Sequence, residues 1–269
     1  MSSMLPGASP FDAHAPSEIA ARIEAAGVAK ARLALLPLSM LGVLAGAYVG
    51  LGALMFTLVA ADEQLGFAAS RLAGGLAFSL GLLIVTIAGA ELFTGNNLLA
   101  MAWADGRVRT GELLRHWAIV CAANALGAAG LALLVWLAGT GALNGGAVGR
   151  AAVRIALAKA ELPAMEAFVR GVLCNLLVCM AVWMAQAGRS VADKAVAVVF
   201  PITAFVAAGF EHSIANFYFF PLAWLSGAPL DAGAVIRNLV LVIGGNLFGG
   251  SVLVALVYHV IYLRRERKG

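Results

Sequence analysis

Apolar residues dominate this chain in six long runs, and its charged residues gather between the runs or near their ends. Each run reads as a helix crossing a bilayer, because about 20 apolar residues span the hydrocarbon core. The expected crossings are about Leu33 to Ala60, Leu72 to Leu99, His116 to Leu137, Ala164 to Ala187, Ala195 to Leu225 and Ile236 to Leu263. The first carries Gly42, Gly46 and Gly50, a spacing of small residues that lets helix backbones approach closely in a membrane. Polar loops are expected at Asp62-Glu63-Gln64, at Asp105 to Arg109, over the glycine-rich residues 140–163, and around Arg189, Asp193 and Lys194. Ahead of the first crossing, Ser17 is the expected cap of a short helix running to Lys30. Its apolar positions Ile19, Ile23 and Val28 predict an amphipathic helix on the membrane surface. The division is therefore a tail and surface helix over residues 1–31, with residues 1–16 a mobile tail, a pore domain over 32–265, and a short tail over 266–269.

Two runs are interrupted. The second contains Ala88-Gly89-Ala90-Glu91-Leu92-Phe93-Thr94-Gly95-Asn96, and the fifth contains Ala208-Gly209-Phe210-Glu211-His212-Ser213-Ile214-Ala215-Asn216. Both read A-G-x-E-x-x-x-x-N. An ionisable residue at membrane depth is costly and faces a protein-lined cavity or a substrate path. Two further matches flank them in the same order: Gly42-Val43-Leu44 with Gly171-Val172-Leu173, and Asn124-Ala125-Leu126-Gly127 with Asn246-Leu247-Phe248-Gly249. The offsets are 129, 120 and 122 residues, in register within loop-length variation. Three crossings per half place the second half upside down, and inverted repeats with broken helices mark transporters and channels. The expected fold is all-α, six helices in two inverted three-helix repeats, with the second and fifth broken and facing each other across one pore.

Composition agrees. The chain is 62% hydrophobic and 12% charged, with a mean hydropathy of +0.93, far from the half-apolar, quarter-charged balance of soluble domains. The net charge of +4 marks topology rather than a nucleic-acid partner. With both termini inside, the cytoplasmic side holds Arg22, Lys30, Arg32, Arg107, Arg109, Arg115, Arg189, Lys194, Arg264, Arg265, Arg267 and Lys268. The other side holds Arg71, Arg150, Arg154, Lys159 and Arg237, a twelve-to-five bias. Cys121, Cys174 and Cys179 lie in apolar runs with no metal-ligand spacing and no disulfide framework. Asp12, Glu18, Arg22 and Glu24 interrupt what would be the apolar core of a signal peptide. There is no Gly-rich phosphate loop and no His/Cys cluster, so no cofactor, metal or enzymatic chemistry is expected.

At these interruptions the chain resembles the formate–nitrite transporter family, over roughly residues 30 to 265. The resemblance is most specific at Gly89 to Asn96, at Cys174-Asn175-Leu176-Leu177-Val178-Cys179 and from Phe205 to Asn216. It implies an aquaporin-like six-helix protomer, a homopentamer in a bacterial cytoplasmic membrane, and one substrate pore per protomer. It also implies four pore or substrate-binding residues: His212 as the central histidine, Thr94 as the loop threonine, Lys159 as the vestibule lysine, and Asn175, 16 residues after that lysine. Hydrophobic constrictions fall on Phe78, Leu82, Leu92, Phe93, Val178 and Phe205. The implied substrates are small monovalent anions of weak acids: formate first, with nitrite, hydrosulfide or lactate-like monocarboxylates as alternatives.

The residues suit that task. A bare anion is heavily penalised in a low-dielectric constriction, and its neutral acid is not. Lys159 concentrates anions, the apolar constrictions remove water, and His212 supplies a proton or hydrogen bond near neutral pH. Carboxylates lining an anion path would repel substrate, so Glu91 and Glu211, with Asn96 and Asn216, are expected to brace the breaks, the acids bonding backbone N–H groups. Bland readings stand beside these: His212 as a packing histidine, Lys159 as a solvated loop lysine, the aromatics as ordinary core. An aquaporin-like water pore shares the expected fold but calls for paired Asn-Pro-Ala breaks, which this chain lacks. Arg170, in mid-crossing, is expected to pair with Glu166 or Glu161.

Overall fold

The computed structural model describes residues 12–264, and among them every regular element is a helix. Residues 1–11 of the expected tail and the expected C-terminal tail at 266–269 lie outside the described residues, as do Arg265, Arg267 and Lys268. In chain order the helices are α1 (Pro16–Ala31), α2 (Leu35–Ala60), α3 (Phe67–Gly89), α4 (residues 95–104) and α5 (Thr110–Leu137). They continue as α6 (Ala147–Ala160), α7 (Ala164–Ala187), α8 (Val191–Ala208), α9 (Ser213–Leu225) and α10 (Ala232–Leu263). Six of them, α2, α3, α5, α7, α8 and α10, are long and apolar enough to cross a membrane. The expected second and fifth crossings each divide in two, α3 from α4 and α8 from α9.

The halves repeat helix by helix. α2 packs along α5 as α7 packs along α10, α1 packs on α4, and α6 packs on α9. Close approach depends on glycine at matched places. A Cβ at Gly127 would overlap the carbonyl oxygen of Val43, and one at Gly249 that of Val172. Without a hydrophobic force between helices in lipid, such contacts hold the bundle by van der Waals packing. The apolar centre is one cluster that includes Leu38, Val49, Phe78, Leu82, Phe93, Val178, Ile202, Phe205, Ile214 and Tyr218.

Two local expectations change. The cap of α1 is Ala15 rather than Ser17: Pro16 takes the first helical position, and the Glu18 carboxylate accepts from the Ala15 N–H at 3.0 Å. The buried face of α1, with Ile19, Ile23 and Gly27, packs against α4. Residues 147–160, read as part of a polar loop, form α6, so Lys159 stands on a helix. The Ala-rich run Ala147 to Ala160 has the propensity for it, and the flanking Gly145-Gly146 masked the signal.

Candidate functional site

Each break is built in the same way. α3 ends with the Ala90 N–H donating five residues back to the Val85 oxygen, and α8 with the Phe210 N–H donating to the Phe205 oxygen, both at 3.0 Å. Gly89 (φ +80°) and Gly209 (φ +77°) then turn the chain through the left-handed region, where a side chain is strained. Next, the Glu91 N–H reaches the Leu41 oxygen at 3.3 Å, and the Glu211 N–H the Arg170 oxygen at 3.2 Å. Backbone freed from a helix inside a membrane must find partners in the protein, and two asparagines supply them. Asn124 donates to Gly42 O (2.7 Å) and Glu91 O (2.9 Å) and accepts from the Phe93 N–H (2.8 Å). Asn246 donates to Gly171 O (2.8 Å) and Glu211 O (3.0 Å) and accepts from the Ser213 N–H (2.9 Å).

The sequence-based expectation that the break acids bond backbone N–H groups is not met among the described residues; Asn124 and Asn246 accept from the backbone there. Each acid instead holds a lysine from the surface helix of its own half. Lys159 on α6 pairs with Glu211 at 2.9 Å, and Asn216 donates to the same carboxylate at 2.8 Å and to Asn238 at 2.9 Å. At the other break, Lys30 on α1 pairs with Glu91 at 3.1 Å and donates to Asn96 Oδ1 at 2.9 Å. Asn96 donates to Glu91 at 2.7 Å and meets His116 Nε2 at 3.0 Å. Both acids are nearly inaccessible, so pairing is what permits the charge.

Between these clusters the breaks meet. Thr94 Oγ1 and His212 Nε2 are 3.0 Å apart, although 118 residues separate them in the chain. His212 is also the N-cap of α9: its Nδ1 accepts from the Ala215 N–H at 3.1 Å. That bond occupies the Nδ1 lone pair, so the neutral ring carries its proton on Nε2 and donates it to Thr94. The Thr94 carbonyl is held from behind by Asn175 Nδ2 (3.2 Å) and Cys179 Sγ (3.4 Å). Asn175 also donates to Asn97 Oδ1 and to Asn246 O, both at 2.7 Å, so its amide braces the Thr94 loop.

A cavity of about 280 Å³ lies against the second break, and Lys159, Glu211, His212, Phe78 and Phe205 are among its lining. Phe78 meets Phe205 edge to face at 5.6 Å, and Phe205 stacks on the His212 ring at 5.9 Å. Leu82, Leu92, Phe93 and Val178 are buried in the apolar cluster that holds those two rings and do not reach the cavity. Arg170 pairs with Glu166 at 2.7 Å, an exposed contact one helical turn apart.

Sequence reasoning missed Lys30, His116 and Asn238, and gave Asn124 and Asn246 no role. The repeat carried the signal. The 129-residue offset that joins Gly42 to Gly171 also joins Lys30 to Lys159, and the 122-residue offset of the asparagines joins His116 to Asn238.

Two broken membrane helices, related by an inverted repeat and meeting at a polar pair behind a vestibule, define a multi-pass membrane transport protein. The sequence profile of formate/nitrite transporters matches residues 17–260, and the chain belongs to that family. It is 37% identical over 277 residues to the formate channel FocA of Escherichia coli K12, covering 96% of this chain and 97% of that one. It is 39% identical over 224 residues to the nitrite transporter NirC of the same organism, covering 80% of each. Among solved structures, an FNT family ion channel superposes with a TM-score of 0.84 at 31% identity, over 91% of this chain and 99% of that one. A pentameric formate channel with formate bound superposes with a TM-score of 0.79 at 34% identity, over 86% and 98%.

Proposed function

We propose that the protein is a channel for small monovalent anions of weak acids, formate first, in which the permeating species crosses the narrow centre as the neutral acid. It works as a homopentamer in the bacterial cytoplasmic membrane with both termini inside, so α6 and Lys159 face outward. The observation that carries this reading is the Thr94–His212 pair beside a vestibule whose cation is Lys159 and whose rings are Phe78 and Phe205. Lys159 raises the local concentration of anions. Phe78 and Phe205 strip their water, which penalises the charged form and draws a proton from the wet vestibule. Leu82, Leu92, Phe93 and Val178 keep the rest of the path dry. The neutral acid then meets the Thr94 hydroxyl, which accepts from His212 Nε2–H and keeps its own proton to donate, and it gains the ring donor in place of Thr94 as it passes. With Nδ1 occupied by the α9 cap, His212 serves as a hydrogen-bond donor, and the proton that travels comes from solvent. Lys30 and Glu91 receive the acid on the inner side, where Lys30 stabilises the anion again. The similarity to a nitrite transporter supports nitrite as a second substrate of the same pore.

The test is uptake by purified protein in liposomes, offering formate, nitrite, hydrosulfide and lactate in parallel across an imposed pH gradient. Formate uptake that rises with outside acidity and stops in His212→Phe supports the proposal. A faster nitrite or hydrosulfide flux would reassign the substrate, and no flux of any of them would overturn the reading.

A further inference from the structure

The vestibule has more positive charge than its acids balance. Arg71, Arg154, Lys159 and Arg170 all line it. Three of these have carboxylate partners: Arg154 with Glu63 at 3.3 Å, Lys159 with Glu211 at 2.9 Å and Arg170 with Glu166 at 2.7 Å. Arg71 has none among the described residues. Its guanidinium instead donates to the Ala207 oxygen (Nε, 2.8 Å) and the Val206 oxygen (Nη2, 2.9 Å), in the last turn of α8. A Cβ at Gly209 would lie 2.9 Å from Nη2, so the guanidinium sits directly against the turn of the second break.

Two consequences follow. The C-terminal end of a helix carries a partial negative charge that repels anions. In α8 that end lies beside the vestibule, and the full charge of Arg71 outweighs its half charge and leaves the spot net positive. The guanidinium is permanently charged and keeps donors beyond the two carbonyl bonds, with its third nitrogen, Nη1, making neither. The repeat does not copy this arginine: the 120-residue offset of the breaks pairs Arg71 with Val191, an exposed apolar residue.

We infer that Arg71 is an anion-capture residue of the outer mouth, setting how readily small monovalent anions enter from outside through its unmatched charge. This rests on the proposed anion-channel reading. The test measures initial uptake of formate and nitrite from outside, against concentration and ionic strength, in right-side-out membrane vesicles. Arg71→Gln is expected to raise the outside half-saturation concentration roughly three- to tenfold, with little change in maximal rate and a flatter salt dependence. Arg71→Lys keeps the charge and loses the paired carbonyl bonds, and is expected to stay near the parent protein. Ala158, an exposed vestibule-lining residue of α6, gives an independent arm that leaves Arg71 in place. Ala158→Glu is expected to reproduce the Arg71→Gln shift and Ala158→Gln to leave uptake unchanged, which keeps the question answerable if Arg71→Gln does not fold. The inference is overturned if Ala158→Glu leaves half-saturation unchanged, if Arg71→Gln does, or if Arg71→Lys is as impaired as Arg71→Gln with normal salt dependence. The last result would make Arg71 a helix cap alone. If the parent protein moves neither anion, the channel reading falls and the inference with it, whereas normal parent flux with unresponsive variants sinks the inference alone.

Discussion

The Thr94 hydroxyl and the His212 Nε2 stand 3.0 Å apart at the junction of the two broken helices, a direct side-chain link between the two breaks. His212 is fixed from its other nitrogen by the Ala215 N–H, so removing Thr94 leaves the ring in place and takes away only the hydroxyl. Thr94→Val is therefore expected to fold normally and to lower maximal flux by up to about tenfold, the worth of one hydrogen bond. Flux in liposomes at saturating formate checks this. Unchanged flux would mean that the hydroxyl holds the histidine without touching the permeating acid.

The lysine–glutamate pairs make a second, graded prediction. Breaking a buried ion pair by removing one partner costs about 3–5 kcal/mol, because the other charge is stranded. The Lys159 side chain is 15% exposed and Lys30 33%, so solvent relieves the second loss more. Lys159→Met should reduce folded protein more than Lys30→Met, and Lys159→Met/Glu211→Gln should recover folded protein while anion uptake stays weak. Detergent-solubilised yield and thermal midpoint, read beside flux, separate the two effects. Recovery of flux together with fold would remove Lys159 from anion capture.

By contrast, the Arg170–Glu166 pair is exposed and one turn apart, 40% and 52%. Such contacts contribute about 0.3–0.5 kcal/mol. Glu166→Gln should leave the thermal midpoint within error, and a drop of several degrees would show a larger role.

Asn124 and Asn246 each satisfy two backbone groups that a break sets free and tie them to a carbonyl of the neighbouring helix, Gly42 O or Gly171 O. An unsatisfied buried polar group costs about 1–3 kcal/mol. Asn124→Ala and Asn246→Ala should each lower the thermal midpoint strongly, and by similar amounts, because the two sites are copies. A large effect at one site alone would mean that the halves are not equivalent in stability.

Glu24 gives a pH dependence outside the membrane-spanning helices. It is buried on α1, 3.1 Å from Arg107. Burial, and then a hydrogen bond shared with Asp105, push its carboxyl above the ordinary range, while Arg107 opposes both. An acid raised in this way stabilises the docked helix when protonated. The contribution is full below the undocked value and fades as pH rises through the raised one. Docking of α1 should therefore tighten on acidification, and Glu24→Gln should flatten the trend. Hydrogen exchange of α1 between pH 4.5 and 7 reads this out, and the opposite slope would refute it.

Much of the fold is legible in the chain because the signals are local. Apolar run length sets six crossings, and the A-G-x-E-x-x-x-x-N copies mark both breaks, since each carries a glycine that can turn through the left-handed region and an acid that is costly at membrane depth. The candidate site was legible only in part. His212, Thr94 and Lys159 stood out, but Lys30 was counted merely as a topology charge, because nothing near it in sequence reveals that α1 folds back over α4 to bring it within 3.1 Å of Glu91. Arg71 was hidden for the same reason: its partners Val206 and Ala207 are more than 130 residues away.

The sequence by itself determined a membrane protein of two inverted halves, since composition and the repeat depend only on which residue stands where. Tertiary structure decided which polar groups close on which: the threonine of one break on the histidine of the other, a lysine from each surface helix on its own acid, and Arg71 on backbone carbonyls of α8. Those pairings follow from helix packing across the bundle. At that range a charge or a hydroxyl is matched by geometry, and local propensity has no part in it.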